Sequence, residues 1–453
     1  MRVYLAVPPL EGKLKQILGT GGPPLGISYI AAVLERAGHI VRLFDGGLPG
    51  NMWNNFIEDI KKFKPDVVGL SAMTAVINNA YKAASLIKKI SKKVVTVVGG
   101  PHAMFVPRET LEECPDLDVV VKGEGEEISL NLINTLEKNG DLSEVKGIVW
   151  RNEDEIVSNP SAALIKDIDE IPFPAYHLWD MKRYAAKKNL PIGTMMTSRG
   201  CPYRCAYCSS SRIFGKVWRA RSAKNVVEEL KLLVGKYGRK YVAFLDDIFT
   251  LSKSRAMEIA DRIKVEKMGI KWDCSSRVDR MDEELAQKLK SAGCLRIYLG
   301  FESGSQHTLN LINKRITLEQ SRETAKMLKK MNFEIIGSFM MGIPGETRED
   351  IEATIDFARE VRPDYAQFTI LTPYPGTPVY EEAVKANRLL TRDWDRYGIV
   401  SSVMKIPGFT AKELNALLRK AYIKFYLSPS FWLQQIKKKR MWFFGRIFRA
   451  FFH

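Results

Sequence analysis

Short runs of β-branched and apolar residues recur along this chain, separated by stretches of helical periodicity. That alternation limits the folds open to it. In the first 150 residues the runs cover 2–7, 41–45, 67–71, 94–98 and 118–122, with helical segments at 27–37, 53–63 and 79–89 between them. In the first helical segment Ile30, Val33, Leu34 and Ala37 recur at spacings of three and four, giving one apolar stripe. Strands that are apolar throughout need helices on both faces, which predicts a parallel, flavodoxin-like (Rossmann) α/β sheet. Ligands of such sheets bind beyond the carboxyl ends of the strands. Here those ends read Pro8-Pro9, Asp45-Gly46-Gly47, Ser71-Ala72-Met73-Thr74, Gly99-Gly100-Pro101-His102 and Gly123-Glu124-Gly125-Glu126. Their small residues let a ligand approach the backbone.

Residues 151–190 read as a linker, with turn signals at Asn152-Glu153-Asp154-Glu155 and extended Ile171-Pro172-Phe173-Pro174. From Pro191 to about Thr372, strand signals at 192–197, 241–245, 270–275, 294–299, 333–341 and 366–371 alternate with helices. Ser222, Thr317 (with Gln320) and Thr347 (with Asp350) are helix-start signals. Six βα units predict a partial (β/α)6 barrel, with chemistry at the carboxyl ends of its strands. A helical C-terminal segment follows, in which Leu414, Leu417, Leu418, Ala421 and Phe425 share a face. The expected division is 1–150, a linker at 151–190, a barrel at 191–390 and the helical segment at 391–453.

Cys201, Cys205 and Cys208 stand in Ser198-Arg199-Gly200-Cys201-Pro202-Tyr203-Arg204-Cys205-Ala206-Tyr207-Cys208, a CxxxCxxC spacing. Structural zinc sites want four ligands, and Cys114, Cys274 and Cys294 are scattered singly. Three thiolates on one loop would instead hold three irons of a cubane cluster and leave the fourth open. Six cysteines in 453 residues do not make a disulfide framework, and a reducing cytoplasm suits them better. The run Val3-Tyr4-Leu5-Ala6-Val7 is too short for a secretory signal, and no stretch of 18 apolar residues predicts a membrane span.

The cysteine spacing, with Tyr207 before its last member, resembles the signature of the radical S-adenosylmethionine (SAM) enzymes. In that family the open iron chelates SAM, and reductive cleavage of the sulfonium yields a 5′-deoxyadenosyl radical. Pro23-Pro24-Leu25-Gly26, then Gly99-Gly100-Pro101-His102, then Gly123-Glu124-Gly125-Glu126 resemble the cobalamin-binding domain that precedes many radical SAM barrels. The chain is therefore similar to the cobalamin-dependent, class B methyltransferase-like branch. This implies that Cys201, Cys205 and Cys208 are the catalytic cluster ligands, with Tyr207 beside them. It implies that the Asp246-Asp247 edge contacts the SAM amino group and that Arg277 grips its carboxylate with two parallel hydrogen bonds. Glu302 would reach the ribose hydroxyls or the amino group, and backbone near Ile343 and Leu371-Thr372 would enclose the adenine. The plainer alternatives are a turn or helix cap at Asp246-Asp247 and a structural Arg277–Glu302 ion pair. Leu25, Gly26, Ser71, Thr74, Gly99, Gly100, Pro101, His102, Gly123 and Glu124 would meet cobalamin. No Asp-x-His-x-x-Gly sequence is present, so His102 is expected near the corrin and not on cobalt. Methylthiotransferases share the arrangement but need three further N-terminal cysteines; here Cys114 alone precedes residue 201.

The net charge is +17, and its placement is uneven. After Glu413 no acidic residue remains, while Arg419, Lys420, Lys424, Lys437, Lys438, Lys439, Arg440, Arg446 and Arg449 follow. On a helix over 441–453, Phe443, Phe444, Ile447, Phe448, Phe451 and Phe452 share a face opposite Arg446 and Arg449. Such a tail suits an anionic membrane surface, the protein's own barrel or a partner; no nucleic-acid motif accompanies it. The resemblance implies a 4Fe–4S cluster, SAM and cobalamin as cofactors, and an external electron donor of flavodoxin or ferredoxin type. The reaction it implies is methylation of an unactivated carbon, on a small molecule that the tail suggests is a lipid or isoprenoid. Cyclisation, ring rearrangement or oxidation is the alternative reaction. A non-catalytic, membrane-peripheral protein that holds cobalamin and a cluster is the alternative class.

Overall fold

In the computed structural model, which describes residues 1–10, 22–186 and 190–438, the N-terminal apolar runs become five parallel strands. These are β1 (Arg2–Val7), β2 (Ile40–Asp45), β3 (Val67–Ser71), β4 (Val95–Gly99) and β5 (Val119–Val121), in the order β2-β1-β3-β4-β5. Val3, Leu5, Val67, Val97 and Val119 pack against Ala31 and Leu34 of helix Leu25–Arg36 and Ile128 and Leu132 of helix Gly125–Glu137. Each such buried branched side chain contributes about 1.5–3 kcal/mol of transfer free energy, and this holds the helices onto the sheet.

The expected linker begins inside this sheet. β6 (Ile148–Asn152) and β7 (Glu155–Ser158) form an antiparallel hairpin that extends it beyond β5. The charged Asn152-Glu153-Asp154-Glu155 stretch is its turn, with Glu153 in the left-handed region at φ +52°. A turn signal flanked by Val149 and Val157 is a hairpin signal, which the charge of the stretch disguises.

β8 (Ala185–Ala186), β9 (Leu190–Met195), β10 (Ser198–Arg199), β11 (Arg219–Ala220) and β12 (Tyr241–Phe244) follow, and β9 and β12 run parallel. The first barrel strand ends two residues sooner than expected, because Ser198 and Arg199 pair with Ala220 and Arg219 in a small antiparallel ribbon. β13 (Lys271–Ser276), β14 (Cys294–Glu302), β15 (Glu334–Met341) and β16 (Tyr365–Ile370) are parallel neighbours. β9 and β12–β16 are the six parallel strands of a half-barrel. The helix starts follow the sequence: Ser222 accepts from the Asn225 amide, and Thr317–Gln320 and Thr347–Asp350 form reciprocal capping boxes.

Two compact units emerge, and none of the junctions between them falls in the linker. One comprises Met1–Pro202, Ser209–Leu245 and Asp393–Asp395; the other comprises Tyr203–Cys208, Asp246–Arg392 and the residues from Arg396 onward. In the second unit Phe301, Phe339 and Phe368 stack across β14, β15 and β16, with centroids 5.5 and 5.3 Å apart. Helix Ala411–Tyr426 lies on β16, burying Leu414, Leu417, Leu418, Ala421 and Phe425 as expected. Its Tyr422 hydroxyl bonds the Phe368 carbonyl (2.9 Å) and its Tyr426 hydroxyl the Ala366 carbonyl (2.8 Å); each also accepts from the same residue's amide. β16 ends the sheet, so these phenols satisfy backbone groups that would otherwise face outward. Helix Pro429–Lys437 follows. The aromatic face expected at 441–453 lies outside the described residues.

Candidate functional site

In the first unit a cavity of about 300 Å³ opens at the carboxyl ends of β3, β4 and β5. Of the residues assigned to cobalamin, Leu25, Gly26, Ser71, Gly99, Gly100, Pro101, Gly123 and Glu124 line it. Gly100 is held at φ +103°, and a Cβ there would meet the Ala72 carbonyl at 2.6 Å, so the chain itself demands glycine. Gly26 differs: a Cβ there would meet nothing within 4 Å. Its missing side chain is room that the protein leaves unused.

Thr74 and His102 do not line the cavity. His102 sits in the short helix Pro101–Phe105, buried, with Nδ1 3.3 Å from the Thr74 hydroxyl and its ring edge-on to Trp394 at 4.7 Å. Burial pushes its imidazole down to about 4, so it is neutral at physiological pH. It packs in the unit's interior, between Thr74 and Trp394.

Glu124 reaches past the cavity. Its carboxylate accepts from Arg199 Nη1 (2.8 Å), Arg219 Nη1 (2.7 Å) and the Ile165 amide (2.8 Å). Glu126 takes the other arm of Arg199. The Arg199 guanidinium also stacks near Tyr29 (5.4 Å) and Phe214 (5.8 Å), and all three line the cavity. Burial works to raise the Glu124 pKa, but the hydrogen bonds from Arg219 and Arg199 outweigh it and hold it below the ordinary range. Burial likewise opposes the charge of Arg199, and Glu126 and Glu124 more than restore it. The strand-end glutamates thus hold the segment that launches the cysteine loop. Gly200 fixes its exit at φ +87°, where a Cβ would meet the Val217 carbonyl at 2.4 Å.

Cys201 belongs to the first unit, Cys205 and Cys208 to the second. The second-unit part of the loop is anchored by its backbone: Ala206 N–H donates to Ile312 O (3.0 Å), Val379 N–H to Ala206 O (3.3 Å), and Cys208 N–H to Cys205 O (3.2 Å). Burial pushes the Cys205 thiol up against the opposing pull of Lys314 and Arg277.

Tyr207, Arg277 and Glu302 come together around a residue that carries no motif, Lys314. Its buried ammonium lies 2.7 Å from Glu302 Oε1 and 3.3 Å from the Tyr207 hydroxyl, and its carbonyl accepts from Arg277 Nη2 (2.9 Å). The Arg277–Glu302 ion pair does not form. Arg277 pairs with Asp279 (2.9 Å) and stacks 3.6 Å over the Tyr203 ring, while Glu302 pairs with Lys314 and accepts from Ser338. Glu302 sits at φ +63°, where β14 shifts register against β15. A non-glycine residue held there costs of order 1–3 kcal/mol. Asp246 is buried and Asp247 exposed.

Ile343 and Leu371-Thr372 lie in loops whose backbone is already engaged. The Gly342 and Ile343 amides donate to Glu346 (2.7 and 3.1 Å), and the Leu371 amide donates to Met341 O (2.9 Å). Burial pushes Glu346 up to about 7, against those amide bonds. Arg199, Lys314 and Glu346 were missed by sequence reasoning. Glu346 had a local signal, an acid closing Gly342-Ile343-Pro344-Gly345, and Arg199 stands two residues before Cys201; Lys314 had none.

Residues 195–358 match the radical SAM superfamily and residues 17–133 the B12 binding domain. An uncharacterized methyltransferase of Pyrococcus horikoshii is 44% identical over 436 residues, 96% of this chain and 95% of that protein. The anaerobic magnesium-protoporphyrin IX monomethyl ester cyclase of Rubrivivax gelatinosus is 28% identical over 439 residues, 95% of this chain and 78% of its own. Among solved structures, the radical SAM methyltransferase TsrM of Kitasatospora setae, with cobalamin and a 4Fe–4S cluster bound, superposes with a TM-score of 0.72. It is 19% identical and covers 93% of this chain and 81% of its own, a likeness of fold.

Proposed function

This chain belongs to the cobalamin-dependent radical SAM enzymes, and from that premise we propose that it methylates an unactivated carbon of a lipid-like or isoprenoid molecule. When bound, the cluster and SAM supply hydrogen abstraction and cobalamin supplies the methyl group. Cys201, Cys205 and Cys208 are the residues that would hold the iron. Gly26 and Gly99 would leave room for the corrin, and Leu25, Leu70 and Met104 would give it an apolar wall. Arg277, held by Asp279 and Tyr203, and Glu302, held by Lys314, are the groups proposed to orient SAM. A flavodoxin- or ferredoxin-type donor supplies the electron. The proposed location is the cytoplasm, at the inner face of the membrane.

The observation that carries this reading is the glycine-walled cavity, one wall of which is Arg199, two residues before Cys201. The test is anaerobic reconstitution, followed by reductant, methyl-labelled SAM and a lipid extract. Expected are 5′-deoxyadenosine, S-adenosylhomocysteine and label in the lipid fraction. Protein that keeps no corrin band after hydroxocobalamin and desalting would remove the proposal. The cyclase relative favours a second reading, cyclisation or oxidation. Deoxyadenosine without labelled lipid or S-adenosylhomocysteine would select it.

A further inference from the structure

The half-barrel strands of the second unit have two ends. The carboxyl ends carry Arg277, Glu302 and the Ile343 loop. The amino ends carry lysines and arginines. Lys271 opens β13 and is exposed; Lys290 reaches the Asn332 carbonyl just before β15 (2.6 Å). Lys329 reaches the Val361 carbonyl just before β16 (2.9 Å). Lys330 and Arg362 stand exposed beside it and form no ion pair among the described residues.

These cations feel one another. Burial, reinforced by Arg362, pushes Lys329 down to about 8. Burial lowers Lys290 too, with Lys271 and Lys438 adding to it. The opposing carboxylates are mostly engaged: Asp364 with Lys438, Glu334 with Arg296, and Glu360 with Arg322. Glu323 is left without an ion pair among the described residues.

Helix Pro429–Lys437 ends on this face, tied by Gln434 and Lys438 to Asp364. It is not fully covered. Leu433 and Ile436, one turn apart, are 59% and 50% exposed, and Leu427 just before the helix is 43% exposed. Exposed aliphatic side chains grouped beside unpaired cations mark an interaction surface. Beyond Lys438 the sequence runs Lys439-Arg440-Met441-Trp442-Phe443-Phe444 and on to residue 453 without an acid. No helix of the described residues is long and apolar enough to cross a membrane.

We propose that the amino-end face of the half-barrel, with Leu433 and Ile436 of helix Pro429–Lys437, docks on an anionic lipid bilayer. An acidic protein would satisfy the cations but would gain nothing from the bare aliphatic side chains of Leu433 and Ile436. A bilayer satisfies both, since apolar burial and a basic patch together give stable peripheral binding where either alone is marginal. The proposal deepens the lipid-like substrate suggested above, but vesicle binding is read on protein without cofactors, so either can fail alone.

The experiment is flotation of the full chain with vesicles of phosphatidylcholine, alone or mixed equally with phosphatidylglycerol. Expected is binding to the mixed vesicles that falls with salt. Removing 439–453 should weaken it without reaching the phosphatidylcholine level. Adding Lys330→Gln, Arg362→Gln and Lys437→Gln to the truncated chain should cost at least a further roughly 10-fold, since each cation near such a surface contributes about 5-fold. Leu433→Gln with Ile436→Gln, the second and independent variant, should lower binding at high salt as well. The proposal is overturned if the full chain ignores phosphatidylglycerol. It is equally overturned if the truncated chain binds better than the full one, which would mean that the tail covers this face, or if the substitutions leave binding unchanged while an acidic electron-transfer protein is lost.

Discussion

Removing the Arg199 guanidinium would take from Glu126 its ion-pair partner out of water and leave Glu124 to Arg219 alone, and a buried carboxylate that loses its partner is what makes such a change costly. Arg199→Leu is expected to lower stability by about 3–5 kcal/mol, read by urea unfolding of the cofactor-free protein. Arg199→Lys offers a point charge where a fork is needed and should recover part of that loss. Because Arg199 fixes the approach to Cys201, both variants should also change the electron paramagnetic resonance line shape of the reduced cluster. An equally destabilising change elsewhere should leave the line shape alone. The cysteines were legible because their spacing is local. The Glu124–Arg199 bond joins residues 75 apart, and nothing in either motif names the other. Glu302 was legible as a candidate site residue and its partner was not: Lys314 lies twelve positions on, past a short helix.

Elements obey the same logic over a few residues. The loop after β15 closes on itself through Glu346, whose carboxylate receives the Gly342 and Ile343 amides while buried. Its folded pKa, up to about 7, lies above the ordinary 4.5, so the native state holds a proton that the unfolded chain has released. Stability from this group is therefore complete below about 4.5 and is lost as pH rises toward 7, by about 3 kcal/mol. Glu346→Gln should flatten that pH dependence, measured as the urea midpoint at several pH values between 4.5 and 8. At the sheet edge, Tyr422→Phe and Tyr426→Phe each remove a hydroxyl that bonds β16 and should cost about 1 kcal/mol. The double variant should also aggregate more readily on thermal scans, because an uncovered edge strand pairs with other chains. Capping residues and apolar stripes made these elements readable from sequence. The β6–β7 hairpin was not, because a turn of Asn, Glu and Asp between short strands looks the same as a charged linker.

For the whole molecule, alternation of strand and helix identified both sheets, since period and length are properties of short windows. The compact units are set by contacts, and the chain passes between them after 202, 208, 245, 392 and 395, none of which the sequence reading marks as a boundary. All described residues of the expected linker lie in the first unit. That unit also contains the glycine-walled cavity, so a ligand held there stabilises it by mass action. Hydroxocobalamin at a hundred times its dissociation constant should add about 2.7 kcal/mol, seen as a higher unfolding temperature and slower amide exchange in β3, β4 and β5. Gly26 separates this effect from folding. A side chain there meets no protein atom within 4 Å, and leucine is the better helix former by about 0.8 kcal/mol, so Gly26→Leu should leave the cofactor-free protein as stable or slightly more so. The same leucine would fill the space proposed for the corrin, and the hydroxocobalamin-induced rise should vanish with it. If Gly26→Leu instead retains the corrin band and the full rise, cobalamin binds somewhere other than the ends of these strands.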